Sequence, residues 1–170
     1  MSKVLVAYAT GSGCTAGVAE KIGATLASKG IEVDVVPVDS KSEPAGYDAV
    51  VAGSGVRAGS WHPRAKKWVA RNASALKGKP LAFFTVGTAP THSAGGFDEM
   101  RGYTDKLLAD TGVEPVDIGL FAGWFVTSKF NFIERWIMRI AKTPEGDHRD
   151  WEAIEAWAAR VSAKLQPAVR

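Results

Sequence analysis

Val4-Leu5-Val6-Ala7-Tyr8-Ala9-Thr10-Gly11-Ser12-Gly13-Cys14-Thr15 passes without a break from an apolar, β-favouring run into a turn of glycines and hydroxyls. From Thr15 a helical spacing of apolar residues continues to Ser28. A strand, a glycine-rich turn and a helix in immediate succession open a βαβ unit. Glycines let backbone N–H groups close around an oxyanion, and a helix N-terminus adds partial positive charge at the same point. Thr10, Ser12 and Thr15 contribute hydroxyl donors as well. A terminal phosphate monoester exposes three acceptor oxygens and needs many donors. A bridging pyrophosphate needs mainly close backbone approach, so the hydroxyl-rich loop 10–15 favours the monoester.

Outward from this loop, short apolar runs alternate with longer helical patterns. Residues 4–8, 33–38, 49–53, 81–86 and 116–122 read as strands, bounded by Gly, Pro or Asp. Residues 15–28, 63–75, 97–111 and 151–165 read as helices, the last ending before Pro167. Pro63 suits the first turn of a helix, where its missing N–H costs nothing. Gly30 and Gly112 stand where helix C-caps need a left-handed residue. Five strands joined by helical crossovers predict an α/β fold with a parallel sheet covered on both faces. Ligands in such folds bind beyond the carboxyl ends of the strands, where the strand order switches. The loops after the first, third and fourth strands are therefore the ones to inspect.

The bulk properties narrow the function classes. The chain has 170 residues, 46% hydrophobic and 23% charged, which suits one domain of residues 1–170 without an interdomain linker. No low-complexity tract or solenoid repeat is present, and no run approaches the ~20 apolar residues of a membrane span. The opening apolar run is too short for a signal-peptide core. The single cysteine, Cys14, forbids an internal disulfide and suits a reducing compartment, so the cytoplasm is the expected location. Neither a metal nor a nucleic-acid partner is expected. Net charge is +3, concentrated in part between Arg57 and Lys79, where seven cations (Arg57, Arg64, Lys66, Lys67, Arg71, Lys77 and Lys79) occur without one acid. That stretch is either a solvated helix face or a surface for an anionic ligand, lipid or partner.

Two rivals to the monoester reading start from the same glycines. Gly11, Gly13 and Gly17, with Asp39 after the second strand, approximate a dinucleotide fingerprint, but the third glycine falls one place late. A Walker loop is excluded, because no Lys-Ser/Thr pair follows. The remaining alternative is a capped turn without a ligand.

Thr10-Gly11-Ser12-Gly13-Cys14-Thr15 resembles the T-x-[ST]-G-x-T phosphate loop of the flavodoxin family and lies, as there, after the first strand. The resemblance implies a three-layer sandwich with strand order 2-1-3-4-5 and FMN as cofactor. Thr10, Gly11, Ser12, Gly13, Cys14 and Thr15 would hold its phosphate. Cys14 replaces the Asn common in flavodoxins. Its backbone N–H still serves, and its place at a helix N-terminus favours a lowered thiol pKa, although a redox role lacks a second cysteine. The loop after the third strand, with Ser54, Gly55, Val56 and Arg57, would follow one edge of the isoalloxazine. Trp61 is the candidate for stacking on the ring, the alternative being that it packs on the sheet. After the fourth strand, Gly87, Thr88, Ala89 and Gly95 would approach the ring's polar edge. This loop has no Tyr or Trp, which implies a ring face open to substrate; His92 within it is either a proton donor or a solvated loop residue.

Between residues 123 and 149 the chain carries an aromatic and basic insertion that minimal flavodoxins do not need. Phe132, Ile133, Trp136, Ile137, Ile140 and Ala141 fall on one helical stripe, with Lys129, Arg135, Arg139 and Lys142 around it. A helix over 129–142 either packs this stripe on its own domain or lies in a membrane interface. Gly53-Ser54-Gly55-Val56-Arg57, the helix from Pro63, and Trp124 through Trp157 resemble the menaquinone-dependent protoporphyrinogen dehydrogenases, which are flavodoxin-like. That resemblance implies an FMN oxidoreductase passing electrons to a quinone, with Arg57 and Arg64 orienting substrate carboxylates. An electron-carrier flavodoxin and an NAD(P)H:quinone reductase are the alternatives. No side chain is assigned a catalytic part, and no oligomeric state is read from the sequence.

Overall fold

Both faces of the first strand are apolar, and alternate residues serve opposite sides of the sheet. Val4 and Val6 enter one core, Leu5 and Ala7 the other. A strand buried on both faces belongs inside a parallel sheet. The computed structural model describes residues 2–39 and 42–166. In it, β1 (Lys3–Ala9), β2 (Glu32–Pro37), β3 (Ala49–Gly55), β4 (Leu81–Gly87) and β5 (Asp117–Ala122) form one sheet in the order β2-β1-β3-β4-β5. Every pairing is parallel; Val6, for example, faces Val35 on one side and Val51 on the other.

Helices α1 (Cys14–Ser28), α2 (Pro63–Lys77), α3 (Ala89–His92), α4 (Gly96–Thr111), α5 (Phe132–Ile140) and α6 (Trp151–Leu165) occupy the connections and the C-terminal side. Val18, Ile22 and Leu26 repeat every four residues along α1 and are fully buried beside Ile154, Trp157 and Val161 of α6. Trp68, Val69 and Leu76 of α2 fill the opposite layer with Leu107 of α4. The sheet is thus sandwiched as the alternating pattern predicts. The sheet order also puts the switch point between β1 and β3, with the phosphate-type loop at its carboxyl edge.

The last connection differs from expectation. β6 (Trp124–Phe125) and β7 (Gly146–Asp147) pair antiparallel, Trp124 facing Asp147 and Phe125 facing Gly146, and tie off the segment between them. Within it, α5 is shorter than the predicted 129–142. Asn131 accepts from the Glu134 N–H (2.8 Å) while the Glu134 carboxylate accepts from the Asn131 N–H (3.0 Å), a reciprocal cap that starts the helix at Phe132. Lys129 consequently falls in a 3₁₀ turn, Thr127–Lys129, and Lys142 follows the helix end, so only Arg135 and Arg139 of the four flanking cations are helical. A single helical turn, α3, also occupies part of the stretch expected to be open loop after β4. Pro167, expected to end the last helix, lies outside the described residues. No helix among the described residues is long and apolar enough to cross a membrane.

Candidate functional site

At the carboxyl edge of the sheet, Gly13 takes a left-handed conformation (φ 91°) and lets the chain turn straight into α1. A side chain there would meet nothing closer than the Trp124 ring at 3.7 Å, so backbone strain rather than space calls for glycine. The Gly13 N–H donates to Thr10 Oγ1 (2.9 Å), which closes the loop on itself. Two outside groups brace it further. Arg64 Nη2 donates to the Thr10 carbonyl (3.2 Å), and the Trp124 indole N–H donates to Ser12 Oγ (3.0 Å). Thr15 is buried, and a Cβ on Gly55 would come within 2.9 Å of its Oγ1. The bare backbone at Gly55 leaves that hydroxyl room beside the cleft.

The loop forms one end of a cleft of about 640 Å³, lined also by residues following β3, β4 and β5 and by α5. A volume of several hundred Å³ suits a small organic cofactor with space beside it. Of the residues singled out from sequence, Thr10, Gly11, Ser12, Cys14, Thr15, Gly55, Val56, Arg57, Gly87, Thr88 and Ala89 line it, and His92 does too. Gly13, Ser54, Trp61 and Gly95 do not. Gly13 shapes the loop from behind. Ser54 Oγ accepts from the His62 N–H (2.9 Å) and donates to the Gly55 carbonyl (2.8 Å), which holds the β3–α2 turn closed. Gly95 is the N-cap of α4 and lies outside the cleft lining.

Trp61 is the clearest correction. Arg57 and Ser60 exchange backbone hydrogen bonds (2.7 and 3.2 Å) across Ala58 and Gly59, which both have positive φ (48° and 68°). That tight turn folds the chain back so that Trp61 bridges to Val56 and points inward. Its indole is only 1% exposed, sits 4.9 Å from the Phe83 ring and donates to Thr85 Oγ1 (2.8 Å). Trp61 is a core residue and no ring in the cleft can stack on it. The aromatic walls are instead Tyr103 of α4, Trp124 of β6 and Phe130. Tyr103 donates to the Glu99 carboxylate, and that bond lifts its phenol to about 12. Helical spacing marked α4 as a helix but could not show that its Tyr103 turns toward Gly59 across the cleft.

Burial pushes the Cys14 thiol up to about 11, which overrides the helix N-terminus and overturns the expectation of a lowered pKa. His62 caps α2: its Nδ1 accepts from the Arg64 N–H (3.2 Å), and burial, then Arg64 and Arg57, lower its pKa. The dinucleotide alternative loses its support. Asp39 Oδ1 is engaged with the Ser42 N–H (2.9 Å), and neither Asp39 nor Gly17 lines the cleft. Gly17 instead clears space for Arg149, whose Nη1 would lie 2.6 Å from a Cβ at that position. Among the basic run, Arg71 donates to the Asp39 carbonyl (3.0 Å) and Lys79 to the Tyr47 carbonyl (2.7 Å), so several of these cations serve the fold. Arg57 faces Glu134 of α5 at 3.7 Å.

Ile133, Ile137 and Met138 turn α5 toward the cleft, yet its apolar stripe stays uncovered: Phe132 is 76% exposed and Trp136 58%. Of the two readings of this stripe, packing on its own domain is not what the described residues show.

A family model described as a flavodoxin domain matches residues 5–152. The chain belongs to this flavodoxin-domain family. Among curated relatives of this flavodoxin-domain protein is the protoporphyrinogen IX dehydrogenase [quinone] of Escherichia coli K12, 24% identical over 94% of each chain. The Leishmania major protein of the same name is 28% identical, covering 95% of this chain and 75% of its own. Solved structures agree on the fold. An archaeal flavodoxin superposes with a TM-score of 0.62 at 20% identity over 96% of this chain and 98% of its own. A Fusobacterium nucleatum flavodoxin bound to flavin mononucleotide gives 0.58 at 14% identity over 98% and 100%.

Proposed function

We propose that this chain is an FMN-dependent oxidoreductase that oxidises a protoporphyrinogen-type substrate and delivers the electrons to a quinone. The observation that carries the reading is the two-ended cleft. One end offers hydroxyls and helix-terminal N–H groups, and the other is roofed by the apolar side of α5. The bound flavin would supply the redox chemistry.

The residues present fit that group. Thr10, Ser12 and Thr15 hydroxyls and the amides of Gly11, Ser12, Cys14 and Thr15 suit a phosphate dianion, which accepts and never donates. The backbones of Gly55, Val56 and Arg57 and of Gly87, Thr88 and Ala89 line the next part of the cleft, where the ring's polar edge would rest. Tyr103 and Trp124 supply aromatic walls, and Ile133, Ile137 and Met138 give the far side an apolar lining. Arg57 and Lys129, both in the lining, would pair with the carboxylates of a porphyrinogen and set its orientation. Curated relatives in Escherichia coli and Leishmania major carry the name of this activity, which supports the substrate and the quinone acceptor. In this reading the exposed stripe of α5, with Arg135 and Arg139 beside it, rests on an anionic membrane surface where a quinone is available.

The test is anaerobic incubation of FMN-loaded protein with protoporphyrinogen and a soluble quinone, following porphyrin fluorescence. Porphyrin formed only when both protein and quinone are present supports the reading. Flavin reduced by NADPH alone, with no porphyrin formed, would replace it with a NAD(P)H:quinone reductase. Cosedimentation with anionic vesicles, lost on Arg135→Glu/Arg139→Glu, tests the membrane contact separately.

A further inference from the structure

Trp124 and Arg149 belong to the arm after β5, but they act on the phosphate-type loop. The Trp124 indole N–H can only donate, so Ser12 Oγ accepts across their 3.0 Å contact. The hydroxyl proton of Ser12 is then directed elsewhere. Thr10 is treated alike, since its Oγ1 accepts from the Gly13 N–H. Each of these two hydroxyls has an acceptor site occupied and keeps its O–H to donate, and both residues line the same cleft.

The indole itself is clamped. β6–β7 pairing sets Trp124 opposite Asp147. Asp147 holds Arg149 in a fork, with Nη2–Oδ2 at 2.6 Å and Nε–Oδ1 at 2.9 Å. The Arg149 guanidinium lies 4.3 Å from the Trp124 ring and 4.5 Å from the Trp151 ring, stacked between the two. Its Nη1 also reaches the Cys14 carbonyl (3.4 Å) in the first turn of α1. The arm and the loop are locked through one chain of contacts.

We propose that Trp124 is a positioning residue for the phosphate of the cofactor: by donating to one acceptor site of Ser12 Oγ, it fixes that hydroxyl so that its proton is aimed at a phosphate oxygen. This rests on the FMN reading above. Trp124 therefore selects for the phosphorylated flavin, and it does so through Ser12.

The experiment compares FMN with riboflavin, which lacks the phosphate, by flavin fluorescence quenching on titration into apo-protein. Trp124→Phe removes the indole N–H and shortens the side chain while keeping an aromatic face for Arg149, so riboflavin binding reads the packing lost with the smaller ring. The Ser12–phosphate hydrogen bond that Trp124 aims is lost with it, which predicts FMN binding weakened about tenfold, with riboflavin binding changed less than about twofold. Ser12→Ala is expected to match it, and adding Trp124→Phe to Ser12→Ala should cost FMN nothing more. Equal losses for both flavins would assign Trp124 a general packing part and overturn the proposal. Additive losses in the double variant would also overturn it, because Trp124 would then not act through Ser12. Wild-type protein that binds riboflavin as tightly as FMN overturns it too, while leaving a flavin site standing. Wild-type protein that binds neither flavin sinks the FMN reading and this proposal together.

Discussion

Substituting alanine for glycine at two helical positions separates local propensity from the Arg149 clamp. Gly17 lies in α1 and Gly102 in α4, and neither has a positive φ. In a helix interior, Gly→Ala stabilises by about 0.5–1 kcal/mol through backbone entropy. At Gly102 nothing lies within 4 Å of a new Cβ, so Gly102→Ala should show that gain in full. At Gly17 the new methyl would sit 2.6 Å from Arg149 Nη1 and 3.6 Å from the Trp151 ring. The guanidinium must leave, and its side chain is only 10% exposed, so it gives up two partly desolvated ring contacts and its bond to the Cys14 carbonyl. Those losses come to about 2–3 kcal/mol. Set against the propensity gain, Gly17→Ala should destabilise by about 1–2 kcal/mol. Urea unfolding of both variants, monitored by far-ultraviolet circular dichroism, reads the difference. With Arg149→Ala already in place, Gly17→Ala should turn stabilising. If Gly17→Ala raises the urea midpoint as much as Gly102→Ala in the unaltered protein, Arg149 does not occupy that space and the clamp is wrong.

Other outcomes follow from the same geometry. Trp61→Phe removes a buried donor from Thr85 and should destabilise by about 1–2 kcal/mol, with flavin affinity changed less than about threefold; a loss beyond tenfold would restore Trp61 to the ring. Cys14, with its thiol raised to about 11, should stay unreactive toward a disulfide reagent near pH 8 in the folded protein and react fully in urea. Prompt stoichiometric labelling of the native protein would refute the burial argument. His62 is held neutral as a cap, with its folded pKa below the ordinary value near 6.5. The unfolded chain then takes up the proton first, so this contribution is complete above about pH 6.5 and declines as pH falls below it. His62→Asn, which can still accept from the Arg64 N–H, should flatten that decline; parallel urea midpoints for both proteins across this range would contradict the assignment.

The legible part of the molecule was whatever its local pattern decides. Alternating apolar runs and helical spacings identified the five strands, and the run from Thr10 to Thr15 marked one wall of the cleft before any coordinates. Trp61 was misread because its direction depends on a turn in which Ala58, a residue without the usual signature, takes a positive φ. Serine, glycine and histidine neighbours suggested an open loop, and the inward fold appears only when Val56 and Trp61 face each other. Tyr103, Trp124 and Arg149 escaped for a different reason. The partners of Trp124 and Arg149 in the first loop and turn lie 112 and 135 residues away, a separation no periodicity reports. The stripe on α5 was correctly seen as apolar, but whether a stripe is covered is a property of its surroundings, not of its spacing.

Residues 126–145 leave and rejoin the body of the protein at one point, because β6 and β7 bring their two ends side by side. The sheet and its flanking helices do not thread through them. Closure entropy grows only slowly with loop length, by about 0.6 kcal/mol for each doubling. Such an arm can lengthen, shorten or change its apolar face without renegotiating the core, although its inner side still lines the cleft. The hairpin is in effect a socket: one flavodoxin-domain scaffold holds an exchangeable segment by a single two-stranded joint.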